Sequence, residues 1–210
     1  MSNLESIYRD RFETILVPLA AKLQEYLRDL VNGLPHIDRV TARAKSVDRY
    51  LAKASKSVGG KRKYSDPLVQ IQDQIGARIV VFYLRDVDVV ATRVDDHLRT
   101  IETQEIVPDS EAEFGYFGRH FILFLPSELF NGAIPQDRAP KFFELQIKTL
   151  YQHAWAEATH DLAYKPVEEL TANDKRKIAF TAAQSWGADQ MFNDLFARIA
   201  GESNAGAERS

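Results

Sequence analysis

The chain has 210 residues, 45% of them hydrophobic and 27% charged, with a net charge of −3. That is the composition of an ordinary globular protein, long enough for one sizeable core, and its acidic balance argues against a dedicated duplex-DNA binder. It has no cysteine, so no disulfide and no thiolate metal site; no run approaches the ~20 apolar residues of a membrane span, Glu5, Arg9, Asp10 and Arg11 stand where a signal peptide needs an apolar core, and a reducing cytoplasm is the expected setting.

Residues 4–31 carry apolar side chains at helical spacing, Ile15, Leu19, Leu23, Leu27 and Leu30 among them, and Asn32-Gly33 with Pro35 ends the helix. Val40, Ala42 and Ala44 alternate with Thr41, Arg43 and Lys45, which predicts a short extended piece sending Arg43 and Lys45 the same way. Ser46 is the expected cap of a helix whose polar face carries Arg49, Lys53 and Lys56. From Arg39 to Lys63 there are nine basic residues and one acid, a net +8 in a chain that totals −3. Such a stretch is either a solvated face or a collector of polyanions.

A flexible loop is expected from Gly59 to Pro67 and a helical turn from Leu68 to Gln74. Residues 79–83 read as a buried strand with Arg78 at its entrance, 86–98 as a helix and 101–107 as a weaker strand. An acidic loop, 108–114, precedes Gly115-Tyr-Phe-Gly-Arg-His120, which either exposes Tyr116 to a planar ligand or is a plain tight turn with the tyrosine packed, and 121–125 is a short apolar strand. In 141–148, Phe143, Leu145 and Ile147 fall on one side of a strand, with Glu144, Gln146 and Lys148 on the other. Thr149 and Gln152 then form a capping box for a helix with His153, Glu157, His160 and Tyr164 along one face. The last helix spans about 171–199, before a tail expected to be disordered. The whole predicts an α+β fold, a mixed and mainly antiparallel sheet of about five strands covered by helices. Its expected parts are 1–35, an N-terminal helix; 36–168, the core; 169–200, a C-terminal helix; and 201–210, the tail.

Asp73, Gly76 and Arg78 crowd one strand entrance, either as a surface cap or as a site for a metal ion and a phosphate-bearing ligand. Glu144 supplies a second carboxylate opposite the basic segment, and hard oxygen ligands of this kind suit Mg²⁺. His153, Glu157 and His160 follow H-x3-E-x2-H, not the H-E-x-x-H of zinc hydrolases, so packing and hydrogen bonding are the expected roles.

Together these stretches resemble the synthetase domain of the RelA/SpoT family. Asp73, Gly76 and Arg78 fit D-x-x-G-x-R; Gly115, Tyr116 and His120 fit G-Y-x-S-x-H; Glu144, Gln146, Ile147 and Thr149 fit E-x-Q-I-R-T with Lys148 for arginine. Trp155, Ala156, His160, Tyr164 and Lys165 match the stretch typical of small stand-alone synthetases, and Arg43, Lys45 and Lys53 match R-x-K-x-x-x-S-x-x-x-K.

The resemblance implies a nucleotidyltransferase-like fold and an ATP-dependent pyrophosphokinase. Such an enzyme moves the β,γ-pyrophosphate of ATP to the ribose 3′-hydroxyl of GDP or GTP. Asp73 and Glu144 would be the catalytic pair and hold Mg²⁺, with Glu144 acting as ligand or as base. Arg43, Lys45, Arg49, Lys53 and Arg78 would bind ATP; Tyr116, His120, Gln146, Lys148 and His160 would bind the acceptor, Tyr116 by stacking on its base. The family serines are replaced by Arg49 and Gly118, and the acids Asp109, Glu111 and Glu113 stand where lysines are expected, which disfavours a triphosphate acceptor. Two rival readings remain: a toxin of the same fold acting on the tRNA 3′ end or making an adenosine alarmone, and a catalytically silent nucleotide-binding module. Homo-oligomers occur among small synthetases, and the helix from Thr171 is the expected interface.

Overall fold

The computed structural model describes residues 2–105, 116, 118–130, 134–163 and 169–207. The N-terminal helix runs as α1 (Ser2–Arg11), a π turn (Phe12–Leu16) and α2 (Val17–Leu30). It packs Leu16, Leu19, Leu23 and Leu27 into the core. Strand β1 (Ile37–Ala44) leads to α3 (Val47–Ala54), where Ser46 is the N-cap by position but makes no side-chain capping bond. The segment expected to be a loop is in part a hairpin, β2 (Ser57–Val58) and β3 (Lys61–Arg62). Gly59 and Gly60 turn it with φ of 58° and 79°, a backbone that L side chains rarely adopt.

A short α4 (Pro67–Gln70) and a 3₁₀ turn (Gln72–Gln74) bring Asp73 to the foot of β4 (Ile75–Val81). That strand starts four residues before the expected position, so Arg78 lies within it rather than at its entrance. The reason is pairing on both edges, antiparallel with β1 and parallel with β7 (Phe142–Thr149), which satisfies the backbone of Gly76 and Ala77. Next come α5 (Leu84–His97), β5 (Thr100–Glu105) and β6 (Arg119–Phe124); after β7 follow α6 (Leu150–Ala163) and α7 (Ala172–Ala207). The final helix passes its expected end near residue 199. The sheet order is β1-β4-β7-β6-β5, and only β4–β7 is parallel, as the mixed, mainly antiparallel expectation had it. Among the described residues, no helix is long and apolar enough to cross a membrane.

The strand alternation separates two faces. Val40, Ala77, Ile79, Leu145, Ile147, Phe121 and Leu123 point into the core beneath α2. The other face carries Arg43, Gly76, Arg78, Glu144, Gln146 and His120, by the register of β1, β4, β7 and β6. Gln24 Oε1 accepts from the Ala42 amide at 3.0 Å and so covers part of the open edge of β1.

The helix is also tied to the basic segment. Tyr8 stacks on Tyr50 with centroids 3.5 Å apart, both rings are fully buried, and the Tyr8 hydroxyl donates to Lys45 O at 2.8 Å. Tyr8→Ala is expected to lower unfolding free energy by about 3–5 kcal/mol, the usual cost of truncating a buried aromatic, measured by denaturant titration.

Candidate active site

Two rows of residues cross the sheet and build the site floor. In the first, Arg43 pairs with Gly76, Gly76 with Glu144, and Glu144 with Ile122. In the second, Thr41 pairs with Arg78, Arg78 with Gln146, and Gln146 with His120. A Cβ added at Gly76 would meet nothing within 4 Å, so the floor between Arg43 and Glu144 stays open. Above it is a cleft of about 630 Å³, within the size range of small-ligand sites, lined by Arg39, Arg43, Lys45, Arg49, Asp73, Arg78, Glu144, Gln146, His153 and Glu157 among others.

Asp73 sits where its sequence position predicts, but its partners are the lysines expected to face ATP. Lys45 and Lys53 both meet its Oδ2, at 2.9 and 2.8 Å, while Oδ1 is buried and has no partner among the described residues. Burial pushes the carboxyl pKa up, yet the bond from Lys53 and the charge of Lys45 outweigh it, and the pKa falls below the ordinary value. Glu144 behaves likewise: burial raises its pKa, and His120, at 3.3 Å from Oε1, together with Gln146 brings it below the usual range. Asp73 lies close enough to oppose that ionisation. Two ionised oxygen donors, one with a buried unpartnered lone pair, fit a hard cation such as Mg²⁺, whose shell is completed by water and phosphate. Among the described residues, no cluster of three His, Cys, Asp or Glu forms a fuller metal site.

Arg78 is clamped. Its Nη1 donates to Glu157 Oε1 at 2.6 Å and lies 2.9 Å from His153 Nδ1, and Nη2 donates to Gln146 Oε1 at 3.3 Å. Burial lowers the His153 pKa, with Arg78 adding to the effect. The polar face of α6 thus has the hydrogen-bonding role its spacing suggested, and its object is Arg78. His160, further along α6, is exposed and is not among the residues that line the cleft. Lys148 is 5% exposed, and its ammonium titrates at about 8, lowered by burial and then by Arg78.

Tyr116 requires a correction. It is buried, not exposed, in a cluster with Trp155 and Ala182, and its hydroxyl donates to Asp189 Oδ2 at 2.5 Å. The burying surface is α7, whose docking against α6 was not foreseen. Thr149 caps α6 as expected, accepting from the Gln152 amide at 3.1 Å while its own amide donates to Gln152 Oε1 at 2.9 Å. Its hydroxyl also donates to Asp189 Oδ2, at 2.5 Å. The signal for Asp189 was its place seven residues after Ala182, on the helix face that meets the core. The acidic loop 108–114, Gly115, Tyr164 and Lys165 lie outside the described residues.

Paired carboxylates facing a wall of cations on an open mixed sheet are what a nucleotide-phosphate-handling fold presents. The chain belongs to the RelA/SpoT family: the sequence model of the region found in RelA/SpoT proteins matches residues 42–169. It is 26% identical over 202 residues to the GTP pyrophosphokinase YjbM of Bacillus subtilis (strain 168), covering 93% of this chain and 86% of that one. A GTP pyrophosphokinase family protein from Streptococcus pneumoniae superposes with TM-score 0.70 at 23% identity, covering 86% of this chain and 88% of its own. Small alarmone synthetase 1 from Bacillus subtilis, bound to its product pppGpp, gives 0.66 at 21% identity, with 94% and 97% covered.

Two outcomes follow from the electrostatics. Because the Lys148 pKa is lowered to about 8 from 10.5, the unfolded chain holds more of that proton above pH 8, and this group's contribution to stability rises with pH. The rise runs to about pH 10, where ionisation of Tyr8 and Tyr50 in the unfolded chain starts to reverse it, because burial raises both in the fold. Lys148→Met is expected to flatten the rise, read from denaturant midpoints between pH 7 and 10.

Proposed function

We propose that this protein is an alarmone synthetase that moves the β,γ-pyrophosphate of ATP to the ribose 3′-hydroxyl of GDP or GTP. The observation that carries this is the pair of ionised carboxylates, Asp73 and Glu144, set in one cleft against Arg43, Lys45 and Arg49, with Lys53 paired to Asp73. The similarity to GTP pyrophosphokinases over most of the chain supports the same reading.

Asp73 would hold Mg²⁺, which when bound would neutralise phosphate charge, and Glu144, the second carboxylate, serves as the base. Lys45, Lys53, Arg43 and Arg49 bind the ATP phosphates, and the clamped Arg78 presents its planar guanidinium to the adenine. Tyr116, His120, Gln146 and Lys148 serve the acceptor. Its 3′-oxygen bonds to the β-phosphorus of ATP as the bond from that phosphorus to the α,β-bridging oxygen breaks and AMP leaves. The hydroxyl proton passes to Glu144, whose Oε1 His120 orients at 3.3 Å. Positioning and charge neutralisation supply most of the catalysis in such transfers.

The decisive experiment incubates the purified protein with ATP labelled in its γ-phosphate and Mg²⁺, and separately with GDP, GTP, ADP or bulk tRNA. Label should appear in a guanosine 3′-pyrophosphate, and chelation by EDTA should abolish it. Label in tRNA or in an adenosine product alone would refute the assignment. Asp73→Asn and Glu144→Gln, checked for folding by circular dichroism, are each expected to slow transfer by at least ~10²-fold.

A further inference from the structure

Gly118 lies against β7 more tightly than a side chain at its position would permit. A Cβ there would stand 2.2 Å from Ile147 O and 2.6 Å from Lys148 Cγ, and the first of these is backbone that cannot swing aside. Two residues earlier, Tyr116 is only 8% exposed, with its ring in the cluster formed by Trp155 and Ala182. Its hydroxyl is fixed to Asp189, which is itself 1% exposed. A base stacks on an aromatic ring by covering one whole face, and a ring so enclosed offers none.

We propose that Asp189, on α7, is a latch that sets acceptor affinity: it holds Tyr116 in a closed position, and the acceptor base is admitted when the phenol leaves the carboxylate. This rests on the assignment of Tyr116 to the acceptor made above. Asp189 lies beyond residues 42–169, so the family match does not assign it a role.

The second hydrogen bond to the same oxygen is what makes such a latch reversible. When the phenol leaves, Thr149 still donates to Asp189 Oδ2, and Thr149 is held in place as the cap of α6. Release therefore costs one hydrogen bond and the packing of one ring, not a bare buried charge. The acceptor's apparent affinity is its intrinsic affinity scaled by the fraction of molecules in the open state.

Two substitutions at one position separate this latch from a structural role. Tyr116→Phe keeps the ring and removes the bond to Asp189; Tyr116→Ala removes both. With the full chain, KM for GDP and for ATP would be measured from labelled transfer. Tyr116→Phe is expected to lower the GDP KM about 3- to 10-fold, the size of one net hydrogen bond, with the ATP KM within about twofold. Tyr116→Ala is expected to raise the GDP KM by about fivefold or more. Asp189→Asn, whose amide oxygen still accepts from both hydroxyls, should fall between wild type and Tyr116→Phe; if it does not fold, the tyrosine pair alone decides. A GDP KM in Tyr116→Phe equal to or above that of wild type overturns the latch. If the wild-type protein transfers nothing to a guanosine nucleotide, the proposed function falls and the latch with it, whereas normal wild-type transfer with an unresponsive Tyr116→Phe overturns the latch alone.

Discussion

The parallel pairing of β4 with β7 is the constraint on which the rest of the site depends. These two central strands are buried on the core side, where Ile79 and Ile147 pair side by side. A slip of one residue would turn Leu145 and Ile147 out of the core and send Glu144 and Gln146 into it, so burial locks the register. That register puts Gly76 beside Glu144 and Arg78 beside Gln146. Antiparallel β1 and β6 then extend the same rows to Arg43 and His120. The residues of the cleft are far apart in sequence, and hydrophobic burial on the opposite side of the sheet aligns them.

Burial on the cleft side has to be balanced by charge. Asp73, Glu144 and Arg78 are each largely removed from water, and each is compensated: Asp73 by two ammonium groups, Glu144 by His120 and Gln146, Arg78 by Glu157. Lys148 has no ion pair of this kind among the described residues, and burial, followed by the charge of Arg78, lowers its pKa. Helix α6 contributes to this balance by carrying Glu157 and His153 to Arg78, while its first turn, through Thr149, joins the sheet to α7.

Much of this was legible in the residues. Period-two alternation in 141–148 identified β7 and placed Glu144, Gln146 and Lys148 on one face, because a half-buried strand imposes that pattern directly. The charge imbalance of 39–63 marked the cationic wall for a similar reason. The start of β4 was not legible: Gly76 and Ala77 have weak strand preferences, and only pairing on both edges makes them strand. Nor was the burial of Tyr116, since it depends on a helix some seventy residues later in the chain. A single aspartate on the inner face of α7 looks like noise until the hydroxyls that meet it are known.

The contacts of Asp73 bear on how a cleft of this kind can wait for a polyanion without collapsing. Unmatched lysines at the positions of Lys45 and Lys53 would repel each other, and a bare Asp73 would carry a heavy desolvation cost. Bound to each other, the two lysines and Asp73 Oδ2 are paired, with the lysines only 20% and 31% exposed at their side chains, while Asp73 Oδ1 is left for the cation. Under the proposed function, a nucleotide would exchange partners with this triad: the two ammonium groups would pass to phosphate oxygens, and the Asp73 carboxylate would be freed to hold the cation. Each of the three groups keeps an opposite charge beside it in both states, so little of the binding energy goes into exposing a charge. What the exchange requires is that all three groups stay in place while partners change. The anchors are already there, because Lys45 N donates to Gln74 O at 2.8 Å and Tyr8 holds Lys45 O from the N-terminal helix. The N-terminal helix thus fixes, from outside the cleft, the backbone from which one of the two lysines reaches Asp73.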